Sequence, residues 1–276
     1  MSDASSMYHK RAMLNHFLDR LISFFTTLAI TDFTFYKYSF LCSAIKESDL
    51  KTYTVKDYLI EKPKKGFVIL RHDIDDNPEV ALNMANLELH FGLRSTYYFR
   101  DTRKCFQKEI MKKIARLGFE IGYHYEPTGK LETDSKIFAN ALKKFKTSEI
   151  NIQTVCAHGS FKEIDLILLS KYSDIFKNMG VKGEAYADVG FNKLDYYSDS
   201  GRIWRHISRT GEIKLTNTNR IVDHILRKGV AKIYILVHPQ WWSINIPIWF
   251  LKQLSGAIST FIRVIFAQLT TNNKRP

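Results

Sequence analysis

Four apolar runs in this chain each lead into a histidine or an aspartate, and this constrains the fold more than any composition figure. Phe67–Leu70 runs into Arg71-His72-Asp73-Ile74-Asp75. Phe119 leads to His124, Ile152–Ala157 to His158, and Ala231–Val237 to His238. Ser95–Phe99 reads as a further strand between the first two. Helical stretches separate these runs. One starts at Asn77-Pro78-Glu79, where Asn77 suits the cap and Pro78 the first helical position, and Gly92 stops it. Another runs from about Thr102, with Phe106, Ile110, Ile114 and Leu117 on one face, to Gly118. Ser135–Lys146, residues 163–179 and Thr218–Lys228 read as helices, and residues 181–208 as short strands and loops. Strands alternating with helices predict an α/β fold with a parallel sheet. The first three strands recur about every 25 residues, which suits a barrel or an open doubly wound sheet. In either, the carboxyl ends of the strands meet on one face, where active sites form. Asp73, Asp75, His124, His158 and His238 are therefore predicted to converge.

These residue types suit a hydrolytic metal site. Asp73 and Asp75 stand at i and i+2, so on extended chain they point the same way. Imidazole nitrogens with a carboxylate oxygen suit zinc, with one position left for water. A second carboxylate can act as general base, and a further histidine can protonate the leaving group. A single histidine at a strand end is usually structural, and His90, His206 and His224 are read that way. Agreement at four strand ends carries the functional reading.

Composition narrows the alternatives. The chain has 276 residues, with 41 Lys+Arg against 28 Asp+Glu and a net charge of +13. Its basic runs, such as Lys62-Lys64-Lys65 and Lys143-Lys144-Lys146, lack interleaved aromatic platforms, so no nucleic-acid partner is expected. Three cysteines without CxxC spacing argue against a disulfide scaffold or a thiolate zinc site. No GxGxxG or P-loop follows any strand, so nucleotide-binding versions of the fold lack support.

Taken with their order, these stretches resemble the polysaccharide deacetylases of carbohydrate esterase family 4, in the branch carrying RHD[VI]D in place of TFDDG. The resemblance rests on FVILRHDIDDNPEVALNMANLELHFGLRSTYYFR (67–100), EIGYHYE (120–126), AHGS (157–160) and LVHPQWW (236–242), and covers roughly residues 36–242. It implies a distorted (β/α) barrel of about seven parallel strands, with N- and C-terminal helical extensions. Asp73 then matches the family's catalytic base and Asp75 its metal-binding aspartate. His124 matches the first histidine of the HxxxH metal motif, and Thr128 stands where the second would be. His158 is read as the imidazole that replaces it, with Glu126 as the alternative ligand. His238 matches the late histidine that acts as general acid.

The implied activity is metal-dependent removal of an N-acyl (acetyl) group from an amino sugar in surface-polysaccharide or glycan precursor biosynthesis, with zinc as the preferred metal. A small-molecule amidohydrolase and an inactive carbohydrate-binding homologue are the alternatives. Trp204, Trp241 and Trp242 are candidates for sugar stacking. Arg71 and Arg205, like Arg100, are candidates for a phosphate or carboxylate on a nucleotide- or lipid-phosphate-linked substrate, or for pairing with a site aspartate. The expected layout is a helical arm over 1–50, a barrel over 51–246 and an amphipathic helix over 247–276. No secretory signal or spanning segment is read. That predicts a cytoplasmic protein, with residues 247–269 as an optional peripheral contact at the inner membrane surface.

Overall fold

The computed structural model describes residues 32–159, 165–227 and 231–244. Its centre is a mixed, mostly parallel sheet, so the α/β class is as expected. The parallel part runs in the order β6 (Gly183–Glu184), β5 (Thr154–Ala157), β4 (Glu120–Tyr125), β3 (Thr96–Arg100), β2 (Phe67–Ile74), β10 (Lys232–Val237), β7 (Asp195–Ser198). Beyond β7 the sheet continues antiparallel through β8 (Arg205–Ile207) and β9 (Ile213–Leu215). A short β1 (Lys51–Tyr53) pairs with the first half of β2, and β3 pairs with the second half. Among the described residues no ladder joins β6 to β7. Side chains bridge that gap: Tyr186 packs on Tyr196 of β7, and Tyr234 Oη of β10 donates to Ala185 O at 3.1 Å.

The first strand explains the layering. All eight residues of β2 are buried, the pattern of a strand covered on both faces. Phe67 and Ile69 face one aromatic-rich core, whereas Val68 and Leu70 face another that includes Met84. This period of two continues into the polar end. Arg71 and Asp73 point to the side of Tyr186 and Tyr234, and His72 points to the opposite side. There His72 Nε2 bonds Glu88 Oε1 at 2.6 Å. Glu88 also accepts from Ser95 Oγ, from Tyr97 Oη and from Tyr38 Oη. His72 thus ties β2 to the flanking helices and takes no part in the site.

Seven helices are described: α1 (Phe35–Glu47), α2 (Val55–Glu61), α3 (Pro78–Phe91), α4 (Lys108–Arg116), α5 (Leu131–Thr147), α6 (Leu166–Asn178) and α7 (Thr218–Leu226). Two sequence expectations are corrected. The helix expected from Thr102 begins at Lys108, because the Thr102 carbonyl closes a turn on Cys105 and Phe106. Asn77 does not cap α3 with its side chain: its backbone is left-handed, with φ 51°, and its N–H bonds Asp76 Oδ1. Within the expected 1–50 arm, α1 is helical and packs Tyr38, Leu41, Cys42 and Ile45 into the core shared with Ile221 and Ile225 of α7. The amphipathic helix expected over 247–276 and the first 31 residues of the expected arm lie outside the described residues. Among the described residues no helix is long and apolar enough to cross a membrane.

One close approach fixes the sheet beneath the site. Tyr98 Oη bonds Thr154 Oγ1 at 2.7 Å, passing across Gly122 on the strand between them. A Cβ at Gly122 would overlap the Tyr98 ring and stand 3.0 Å from Thr154 O. Gly122→Ala is expected to destabilise the protein by about 1–3 kcal/mol, the range for overpacking a filled core. Urea unfolding of the variant against wild type measures it.

Candidate metal centre

The predicted residues meet at the carboxyl end of the parallel sheet. Asp75 lies just past β2, His124 near the end of β4, His158 past β5 and His238 past β10. Asp75 Oδ1 stands 3.5 Å from His124 Nε2 and 3.6 Å from His158 Nε2. Asp75 Oδ2 stands 3.9 Å from His238 Nε2 and accepts from Gln240 Nε2 at 3.3 Å.

Both inner imidazoles are oriented by their other nitrogen. His124 Nδ1 donates to Cys156 O at 2.9 Å, and His158 Nδ1 donates to Glu126 Oε1 at 3.2 Å. Each proton is thus placed on Nδ1, leaving the Nε2 lone pair turned toward Asp75. Glu126, the alternative ligand, is instead the group that orients His158, and it also pairs with Arg100 of β3. Thr128 is no ligand: its N–H and Oγ1 both bond Asp134 in the first turn of α5.

This donor set fits a divalent metal. Asp75 Oδ1 is closed off from water and has no hydrogen-bond partner, although two imidazole nitrogens face it. Four ligands at about 2.0–2.1 Å around a tetrahedral zinc lie about 3.3–3.4 Å apart, close to those two separations. Asp75, His124 and His158 can therefore hold a metal ion. A deeper trio of Asp73, His124 and Cys156 shares His124. It is the poorer site: burial pushes the Cys156 thiol up, away from the thiolate a metal needs, and both Asp73 oxygens are engaged.

Asp73 sits beneath the cluster, buried, with the Arg71 guanidinium across both oxygens at 2.9 and 2.7 Å. Burial works to raise the Asp73 pKa; Arg71, then His124 and His238, outweigh it and hold the carboxyl below its usual range. Asp75 follows the same logic: burial opposes ionisation, and His124 first, then His238 and His158, hold it well below the usual range. For His124 burial works to lower the pKa, and the facing Asp73 and Asp75 raise it overall.

His238 is held by a residue the sequence reading missed. Its Nδ1 donates to Asp199 Oδ1 at 2.6 Å, and its backbone N–H bonds the same carboxylate at 2.9 Å. Burial opposes the charged ring, but Asp199 and the site aspartates push its pKa up to about 9. A raised histidine pKa stabilises the fold fully below the unfolded value of 6.5 and loses that contribution as pH rises through about 9. Melting temperature is therefore expected to fall between pH 7 and pH 10, and Asp199→Asn to flatten that slope.

The substrate-binding candidates divide. Trp204 and Trp242 are buried against Phe33, and their indole N–H groups bond Thr218 Oγ1 and Asp199 Oδ2 inside the protein. Neither offers a ring face to a sugar, which corrects that expectation. Arg71 is fully buried and spent on Asp73, Tyr234 and Tyr186, so it supports the aspartate rather than a ligand. Arg205 donates to Ser200 O and Ile203 O and braces the loop after β7. Trp241 remains at the rim, where it lines a cavity with Asp75, Asp76, Asn77, Arg202 and Gln240. His206 lies apart, paired with Asp195. No known family model matches the chain, and no curated protein matches it.

Proposed function

We propose that this protein is a metal-dependent carbohydrate N-deacetylase, a hydrolase that removes an N-acyl group from an amino sugar during surface-polysaccharide or glycan precursor synthesis. One observation carries the reading: two imidazoles, each tied through Nδ1, turn Nε2 onto an oxygen of Asp75 that accepts no hydrogen bond and has Arg100 Nη1 4.0 Å away. In this reading the seven strands that run from β6 to β7 are a distorted barrel, left open between those two, as the resemblance to the polysaccharide deacetylases implies.

Asp75, His124 and His158 would hold a divalent metal, zinc by donor type, which when bound would supply Lewis acidity and lower the pKa of water. Asp73 accepts a proton from the attacking water through Oδ1, which keeps a lone pair beyond the one given to Arg71 Nε, while Oδ2 accepts from both Arg71 Nη2 and Cys156 Sγ; its depressed pKa keeps it ionised at neutral pH. His238 donates from Nε2 to the departing amine. Asp199 keeps the ring charged and fixes its direction by holding Nδ1. Cytoplasmic substrates linked to a nucleotide or lipid phosphate fit the basic surface, which attracts anions over a distance.

A small-molecule amidohydrolase is the second reading. The burial of Trp204 and Trp242 favours it, because a long glycan wants several exposed aromatic rings and the cavity offers Trp241. The test is zinc analysis of purified protein together with free-amine release from N-acetylated sugars and small amides. One metal per chain and amine release from a sugar support the proposal. Metal-free wild type, or release from small amides alone, overturns it. Asp73→Asn and His238→Ala are each expected to lower the rate by about 10²–10⁴-fold, the usual contribution of a positioned acid or base, while metal content persists.

A further inference from the structure

The loop after β7 carries a cation with no assigned partner. Arg202 Nε and Nη1 are both closed off from water and bond nothing. The guanidinium lies over the Trp241 ring, 4.7 Å from its centroid, and Trp241 Nε1 is also a buried donor without an acceptor. These two side chains form one wall of a cavity of about 310 Å³ whose other walls are Asp75, Asp76, Asn77 and Gln240. The cavity therefore opens directly beside the metal-binding aspartate.

The backbone holds Arg202 there at a cost. Gly201 and Arg202 both have positive φ, 71° and 59°. Glycine takes that conformation freely, whereas arginine is disfavoured in it. The turn is anchored by Arg202 N–H donating to Asp199 O at 3.0 Å, so the residue that holds His238 also sets Arg202. The nearby carboxylates face other basic groups. Asp75 faces His124, His158 and His238, while Asp76 bonds the Asn77 N–H and pairs with Lys104. A guanidinium stays charged at any physiological pH, and desolvated donors without acceptors are strongly disfavoured. An oxyanion matches the missing partner, and a planar guanidinium suits a phosphate or carboxylate best.

We propose that Arg202 and Trp241 form an anion subsite that takes a phosphate or carboxylate group of the same molecule whose N-acyl group meets Asp75, His124 and His158. The proposal rests on the hydrolase reading for which end of the molecule reacts, but the subsite binds its anion without turnover. Its substrate class is an N-acylated amine with an oxyanion a few bonds from the amide: a sugar phosphate or a sugar acid rather than a neutral glycan.

The test is calorimetric titration of the full-length, zinc-loaded protein with N-acetylglucosamine, N-acetylglucosamine 1-phosphate and N-acetylmuramic acid, alongside amine release from each. Wild type is expected to bind at least one of the charged sugars about tenfold or more tighter than the neutral one, as a charge-assisted bond allows. Whichever is preferred identifies phosphate or carboxylate as the anion. In Arg202→Gln and Arg202→Gly that preference is expected to shrink to about twofold or less. Arg202→Gly guards against a folding artefact, since glycine suits the left-handed backbone and its melting temperature is expected to hold or rise. Equal wild-type affinity for charged and neutral sugars overturns the proposal, as does a preference that survives both substitutions. Amine release without any charge preference removes the subsite and leaves the deacetylase. A charge preference lost in both variants, with no amine release from any sugar, leaves the subsite and removes the deacetylase.

Discussion

In His124→Ala, stoichiometric zinc is expected to disappear, and N-acyl release to fall by about three orders of magnitude or more. The size follows from the chemistry: Lewis-acid stabilisation contributes several kcal/mol, and each 1.36 kcal/mol is tenfold in rate. His124 is the most buried of the three candidate ligands, its ring is fixed by Cys156 O, and it faces both aspartates. Water has little room to take its place. Asp75→Ala is expected to do the same, because the two imidazoles then face each other without a carboxylate between them. His158 is more exposed, with about a third of its side chain open. Water can replace it, so His158→Ala is expected to weaken metal binding without abolishing it. Glu126→Gln keeps the ligand but loosens its direction, and a loss of about 10–100-fold in affinity is expected, as for other groups that orient a ligand. Metal content against free zinc for the four variants gives the ranking. If Glu126→Gln loses more metal than His158→Ala, Glu126 is itself a ligand and the assignment of His158 falls.

The cluster was legible in the sequence because parallel strands are simple objects. A strand covered on both faces reads as a continuous apolar run, and the residue after it stands at the shared rim. Asp73, Asp75, His124, His158 and His238 all follow from that one rule. Asp199 does not, although it too ends a parallel strand. β7 is four residues long and carries Tyr196, Tyr197 and Ser198, and a loop reads much the same. Of its antiparallel neighbours, β8 falls in the stretch that reads as short strands and loops, whereas β9 is exposed at all three positions and shows no alternation. The tryptophans failed for a different reason. Whether Trp204 and Trp242 are rim or core depends on what covers the sheet there, and Phe33 and α1 supply that cover from far away in the chain. Arg202 escaped because its setting is a left-handed turn where glycine would be expected.

The Arg71–Asp73 pair should separate stability from catalysis. Both side chains are buried, and the guanidinium fork bonds both carboxylate oxygens. Breaking a buried pair from one side leaves an uncompensated charge, so Arg71→Met is expected to destabilise by about 3–5 kcal/mol. Replacing both partners is gentler. Arg71→Met with Asp73→Asn is expected to recover most of that loss, although Tyr186 and Tyr234 still lose a donor, and amine release stays at the level of Asp73→Asn alone. The pH dependence has a definite sign. In wild type the depressed Asp73 pKa gives stability that is present above the unfolded carboxylate value and lost as pH falls through the folded one. In Arg71→Met the largest opposing charge is gone, and burial, which opposes ionisation of Asp73 in wild type too, pulls the pKa upward. The carboxylate then penalises the fold most at neutral pH and least once protonated, so the deficit should narrow as pH falls toward 5. Urea midpoints for wild type, both single variants and the double at pH 7 and pH 5 complete the cycle. A deficit of similar size at both values would mean that Arg71 acts by filling space between Tyr186 and Tyr234 rather than by holding the charge of Asp73.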